Sequence, residues 1–213
     1  MSIISDIFQG HSPPYLYGIS NRGAFPSLAP EDYLDRIFGS PADALQWREK
    51  DLSPAEARPL VKRGAELARR VGKVFLVNTH VELALQEGAG GSHLTSKQDL
   101  SCAIRFREQY GSRAFLLGKS AHSRDDVLRA AAEGADYVLV SPVRNPLSKE
   151  ARAPALGFPE LERIAHSVEI PVFALGGVVE SDLDRIASCG AAGLAGITWL
   201  MRAVEGPHAN SEI

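Results

Sequence analysis

The chain has 213 residues, 45% of them apolar, and a net charge of −3. That size suits one α/β barrel or one to two smaller domains, and the near-neutral balance offers no polybasic surface for nucleic acid or membrane. Cys102 and Cys189 lie far apart, in no metal-ligand spacing, which points to reduced thiols in a cytoplasmic protein. Met1 to Asp6 has neither the basic nor the apolar part of a signal peptide, and no run approaches the roughly 18 apolar residues of a membrane span.

Residues 1–14 read as an N-terminal extension. A phrase then recurs: helix, glycine, short apolar strand. Its glycines are Gly72, Gly88, Gly111, Gly134 and Gly190, each where a helix C-cap needs the left-handed conformation. The strands predicted in chain order are Tyr15–Ser20, Ala44–Arg48, Val74–Asn78, Gly91–Leu94, Phe115–Ser120, Tyr137–Ser141, Val172–Leu175 and Leu194–Ile197. Eight strands alternating with helices predict an α/β protein, a single-domain (βα)8 TIM barrel over residues 15–205. In such a barrel the working residues sit at the C-terminal ends of the strands.

The first strand ends at Ser20-Asn21-Arg22. On the second, alternation puts Gln46, Arg48 and Lys50 on one side. If that side is the barrel mouth, two cations converge there; the competing reading is a solvated charge cluster. Ser53-Pro54-Ala55-Glu56 is a capping box with proline at the first helical position, and Leu60, Gly64, Leu67, Ala68 and Val71 form one helical face. The third strand ends at Asn78-Thr79-His80 and the fourth at His93-Leu94-Thr95-Ser96. The fifth ends at Ser120-Ala121-His122-Ser123, with Ser123 capping the next helix. His122 therefore lies in a short strand-to-helix loop on the functional face; His80 and His93 share that face with weaker claims, and His11, His166 and His208 look incidental.

After Ser141-Pro142 comes a polar loop from Val143 to Gly157 carrying Arg144, Lys149 and Arg152, long enough to suggest a function such as closing over a ligand. Pro171 to Val178 is a buried strand ending abruptly at Gly176-Gly177, followed by Ser181-Asp182-Leu183-Asp184, which resembles a capping box. A strand, a glycine turn and a helix start expose backbone N–H groups suited to an anion, most often phosphate. Gly193 to Thr198 is a second apolar run ending in a hydroxyl. If the last two strands are neighbours, both ends point at one small group. Residues 206–213 read as a disordered tail.

Four pieces, Gln46-Trp47-Arg48-Glu49-Lys50, Ser120-Ala121-His122-Ser123, Gly134-Ala135-Asp136-Tyr137-Val138 and Ala174-Leu175-Gly176-Gly177-Val178, together resemble the thiamin phosphate synthase/TenI family of (βα)8 barrels over nearly the whole chain. The resemblance implies a small-molecule thiazole phosphate ligand, held by main chain at Gly176, Gly177, Ile197 and Thr198. It implies one of two activities: an Mg²⁺-dependent synthase joining a pyrimidine pyrophosphate to the thiazole phosphate, or a metal-independent tautomerase. A member that binds without catalysis is the third option. Members are often dimers, so a homodimer is an expectation of the resemblance alone.

The synthase pattern has Asn-Asp after the third strand and a second Asp after the fourth, both holding Mg²⁺. This chain has Asn78-Thr79, and Gln98 at the second position with Asp99 one residue off; Pro146-Leu147-Ser148-Lys149 keeps one of two hydroxyls. Mg²⁺ needs anionic oxygens, so the expectation is the tautomerase, with no cofactor. Its expected acid/base is His122, because an imidazole can take and return a proton near neutral pH. Arg48 or Lys50 is expected on the substrate carboxylate, Asn78 and Ser120 beside the ring, and Lys149 on a charged group.

Overall fold

The computed structural model describes residues 12–145 and 154–205. Eight parallel strands close into a barrel: β1 (Tyr15–Ile19), β2 (Ala44–Trp47), β3 (Val74–Asn78), β4 (Gly91–Leu94), β5 (Leu116–Ala121), β6 (Tyr137–Val140), β7 (Val172–Leu175) and β8 (Gly193–Gly196). Each pairs with the next, and β8 returns to β1. The expected strands are therefore present within a residue or so at each end.

The described helices are α1 (Pro30–Phe38), α2 (Pro54–Val71), α3 (Val81–Gln86), α4 (Leu100–Gln109), α5 (Arg124–Ala132), α6 (Phe158–Ala165), α7 (Leu183–Ser188) and α8 (Thr198–Glu205). All five glycines expected to end helices have positive φ. Ser53 and Glu56 form the capping box at the start of α2, and Ser123 Oγ accepts from the N–H of Asp126 at the start of α5. Of the expected α2 face, Leu60, Gly64, Leu67 and Ala68 are buried, but Val71 is exposed because the helix ends there at Gly72. Gly64 is needed for packing: a Cβ there would lie 2.5 Å from the Phe75 ring.

The capping box expected at Ser181 is corrected. The segment after the double glycine is a 3-10 turn, Glu180–Asp182, and Asp182 is its cap, accepting from the N–H of Val179 at 3.0 Å. Both Asp182 oxygens also take Arg144, at 3.0 Å. An acceptor already used by Arg144 can close the turn without the Ser181 hydroxyl.

Strand alternation divides the core in two. Leu45, Trp47, Phe75, Val77, Leu94, Leu117, Val138 and Val140 face outward and pack with the helices. Tyr17, Leu76, Leu116, Tyr137, Phe173 and Ala195 fill the inside of the barrel. The next inward positions, toward the C-terminal ends, are Asn78, Ser120, Leu175 and Ile197, so they form the floor of the mouth.

Candidate active site

At the ends of β7 and β8, Gly176, Gly177, Ile197 and Thr198 line one cavity of about 220 Å³. Local conformation brings them there. Gly176 and Gly177 have φ of +86° and +69°, which a side chain resists. The first bond of α8 runs from the Met201 N–H to Ile197 O, at 2.9 Å. The N–H groups of Thr198, Trp199 and Leu200 therefore precede any intrahelical partner, and the helix start favours an anion.

The double glycine also answers to its own chain. The N–H groups of Val143 and Arg144 donate to Leu175 O and Gly176 O at 2.9 Å each. A Cβ at Gly177 would meet Arg144 O and Asn145 O at 2.6 Å. The bare backbone at Gly177 thus admits the segment after β6 as well as shaping the cup. That segment is pinned where it returns, with Leu156 and Gly157 N–H donating to Pro142 O and Val143 O. Lys149 and Arg152 lie outside the described residues.

Two residues of this cavity carry no sequence motif. Arg202, one turn into α8, and Glu180 line it as well, and among the described residues neither has an ion-pair partner. Trp199 also lines it, and among the described residues its buried indole N–H has no acceptor. The i to i+4 spacing of Thr198 and Arg202 was the available signal for the guanidinium.

His122 follows β5. Its Nδ1 lies 2.8 Å from Ser141 O at the end of β6. A carbonyl oxygen only accepts, so Nδ1 carries the proton and Nε2 keeps its lone pair. The His122 N–H donates to Asp126 Oδ2, at 3.1 Å, and the imidazole is exposed on the C-terminal face. The Ser141 carbonyl thus holds the ring, and the Asp126 carboxylate holds the main chain that carries it.

The three expected residues of the second strand meet different surroundings. Gln46 points inside the barrel, its Nε2 donating to Tyr17 OH at 2.8 Å. Arg48 is half-buried on the same side, near enough to bear electrostatically on His93. Past Trp47, where β2 ends, the exposed Lys50 lines a small crevice together with Glu49, Asn78, Thr79 and His80, at the C-terminal ends of β2 and β3. Glu49 turns toward β1, accepting from Ser20 Oγ and from the N–H of Arg22; burial raises its pKa above the usual carboxylate range.

His93 is not a mouth residue. It is buried in the barrel, with Nδ1 3.2 Å from Tyr137 OH and Nε2 2.9 Å from Ser120 Oγ. Burial, with the Arg48 charge adding to it, pushes its pKa down to about 3. It is therefore neutral near pH 7.

The side chains near β3 and β4 suit Mg²⁺ poorly. Thr79 occupies the first expected carboxylate position, at φ +66°. Gln98 Oε1 turns back to the N–H and hydroxyl of Thr95. Asp99 is the N-cap of α4, with its two oxygens on the N–H and hydroxyl of Ser101. Among the described residues no group of three His, Cys, Asp or Glu could hold a metal ion. A larger cavity, about 530 Å³, opens here between α2, α3 and α4, but its arginine, Arg58, is taken by Glu87 and Gln86.

Fold and cavity together define a (βα)8 barrel with an anion-suited cup at its last two strands. The chain belongs to the thiamine monophosphate synthase (TMP-TENI) family, whose model matches residues 16–200. It is 37% identical over 157 residues to a putative thiamine-phosphate synthase of Geobacter sulfurreducens, covering 74% of this chain and 72% of that one. It is 30% identical over 183 residues to a thiamine-phosphate synthase of Methanocella arvoryzae, covering 86% and 85%. Among solved structures it resembles thiamine phosphate pyrophosphorylase from Pyrococcus furiosus, with a TM-score of 0.73 and 26% identity over 90% of this chain and 95% of that one. No helix among the described residues is long and apolar enough to cross a membrane.

Proposed function

We propose that this barrel binds a thiazole phosphate, with the phosphate in the Gly176, Gly177, Ile197 and Thr198 cup, and shifts a proton on the ring through His122. The observation that carries this reading is the Nδ1–H to Ser141 O bond. It leaves Nε2 as a fixed base on the same face as the cup. Tautomerisation needs one proton removed from a ring carbon and one delivered to the exocyclic carbon. The protonated Nε2 formed in the first step is the acid for the second, so the balance closes without a co-reactant. Arg48 suits the substrate carboxylate because a guanidinium binds it bidentately. Asn78 and Ser120 lie on the floor beneath the ring, and Lys149 is assigned to a charged group of the ligand.

A second reading is favoured by the names its relatives and solved neighbour carry: a transferase joining a pyrimidine pyrophosphate to the thiazole phosphate. Those names back the transferase better than the isomerase. Against it stands the use of Gln98 and Asp99 in their own loop and the threonine at 79, which leave the departing pyrophosphate short of charge compensation.

One experiment separates them. Purified protein in EDTA is given the thiazole phosphate tautomer, and conversion is followed by NMR; a parallel sample with Mg²⁺ and both synthase substrates is assayed for pyrophosphate. The proposal expects conversion in EDTA, slowed roughly 10²–10⁴-fold in His122→Ala with phosphate affinity retained. Pyrophosphate release without EDTA-resistant conversion replaces it by the transferase. Binding with neither reaction leaves a non-catalytic binder.

A further inference from the structure

Five strands place a line of polar side chains through the barrel interior. Gln46 Nε2 lies 2.8 Å from Tyr17 OH, Tyr17 OH 3.0 Å from Tyr137 OH, Tyr137 OH 3.2 Å from His93 Nδ1, and His93 Nε2 2.9 Å from Ser120 Oγ. Gly118 makes room for it, since a Cβ there would lie 2.0 Å from Tyr137 Cζ. Burial raises the pKa of both phenols far above the ordinary range, so each is a neutral O–H with one proton to donate.

The donor at the closed end sets the order of all the others once each buried O–H is required to find an acceptor. An amide NH₂ only donates, so Tyr17 oxygen accepts from Gln46. Tyr17 then gives its proton to Tyr137, and Tyr137 gives its proton to His93 Nδ1. His93 is neutral and has one proton left, on Nε2, which it donates to Ser120 Oγ. Each bond polarises the next in the same sense. Ser120 Oγ thus accepts from His93, and among the described residues its own proton has no other partner.

We infer that the buried chain Gln46–Tyr17–Tyr137–His93 is an orienting relay that makes Ser120 a hydrogen-bond donor aimed into the barrel mouth. The group it meets is an acceptor: an unprotonated ring nitrogen or a carboxylate oxygen of the ligand. His93, Tyr137, Tyr17 and Gln46 are positioning residues, and Ser120 alone touches the ligand. The order of the chain stands on the bonds themselves; its use against a thiazole phosphate rests on the function proposed above.

The test has two arms. Histidine side-chain ¹⁵N NMR on the full-length, unliganded protein reads the His93 tautomer. Protonated Nε2 with bare Nδ1 is expected; protonated Nδ1 overturns the inference, because Ser120 would then give its proton to His93. Gln46→Met keeps the volume and removes the directing donor, and it is expected to populate both tautomers; Tyr17→Phe does the same if that variant folds poorly. An unmixed tautomer in a folded variant removes Gln46 from the relay.

In the second arm, calorimetry compares thiazole phosphate with inorganic phosphate. Ser120→Ala is expected to weaken the first roughly three- to tenfold, the loss of one hydrogen bond, and leave the second unchanged. Ser120→Thr, which keeps the hydroxyl, restores it. Equal affinity of Ser120→Ala and wild type for thiazole phosphate overturns the donor role. Failure of the wild type to bind inorganic phosphate counts instead against the cup, and leaves the tautomer result to judge the relay.

Discussion

Gly177→Ala tests the approach of the post-β6 segment to the cup. The substitution carries two costs. At φ +69° an alanine loses roughly 1–2 kcal/mol. Its Cβ would also stand 2.6 Å from both Arg144 O and Asn145 O, and displacing packed atoms costs about 1–3 kcal/mol. Gly72→Ala supplies the comparison: φ is +70°, nearly the same, but nothing lies within 4 Å of its Cβ. The gain from a stiffer unfolded chain is common to both and cancels. Gly177→Ala is therefore expected about 1–3 kcal/mol less stable than Gly72→Ala in urea denaturation, and several degrees lower in Tm. Inorganic phosphate affinity should fall in the first variant and not in the second. Equal stability, within about 0.5 kcal/mol, refutes the argument, since the carbonyls would then not lie against Gly177.

Thr79 is a β-branched residue at φ +66°; Thr79→Asn, which tolerates that region, is expected to raise stability by about 1 kcal/mol, read from the denaturation midpoint. Arg202→Gln should weaken inorganic phosphate binding and flatten its salt dependence, whereas Glu180→Gln should strengthen it, both by calorimetry at two ionic strengths. His93 binds its proton with a folded pKa of about 3 against an ordinary 6.5. The unfolded chain therefore holds more protons between those values, and stability is full above pH 6.5 and lost as pH falls toward 3, by up to a few kcal/mol. His93→Gln removes that proton uptake, so its acid denaturation, followed by circular dichroism, should depend less steeply on pH across that window.

What could be read in advance was written in short windows. Short apolar runs marked all eight strands, and the five helix-ending glycines announced their left-handed conformation. The pairing of Gly176-Gly177 with Ile197-Thr198 followed from two such runs being consecutive, because consecutive parallel strands are neighbours in a closed barrel. Lys50 shows the limit of the same reasoning: period-two alternation predicts a side only while the strand lasts, β2 ends at Trp47, and the crevice that Lys50 shares with Asn78 and His80 is not foretold by it. Ser181 had the right spacing for a cap and lost to Asp182, whose carboxylate is also held by Arg144, a residue 38 positions earlier.

The sequence by itself determined the barrel, its strand order and the meeting of Gly176, Gly177, Ile197 and Thr198 at one cavity, because each rests on hydrophobic period and on glycine at particular steps. Only the tertiary structure decided that His93 is a neutral interior link and not a mouth residue, that Arg202 reaches the cup, and that His122 leans on Ser141. The first of those facts depends on the register between strands, which pairs Asn78 with His93, His93 with Gly118 and Gly118 with Tyr137. Register is set by the closure of the whole sheet, and a one-residue shift of β4 would turn the His93 side chain to the other face.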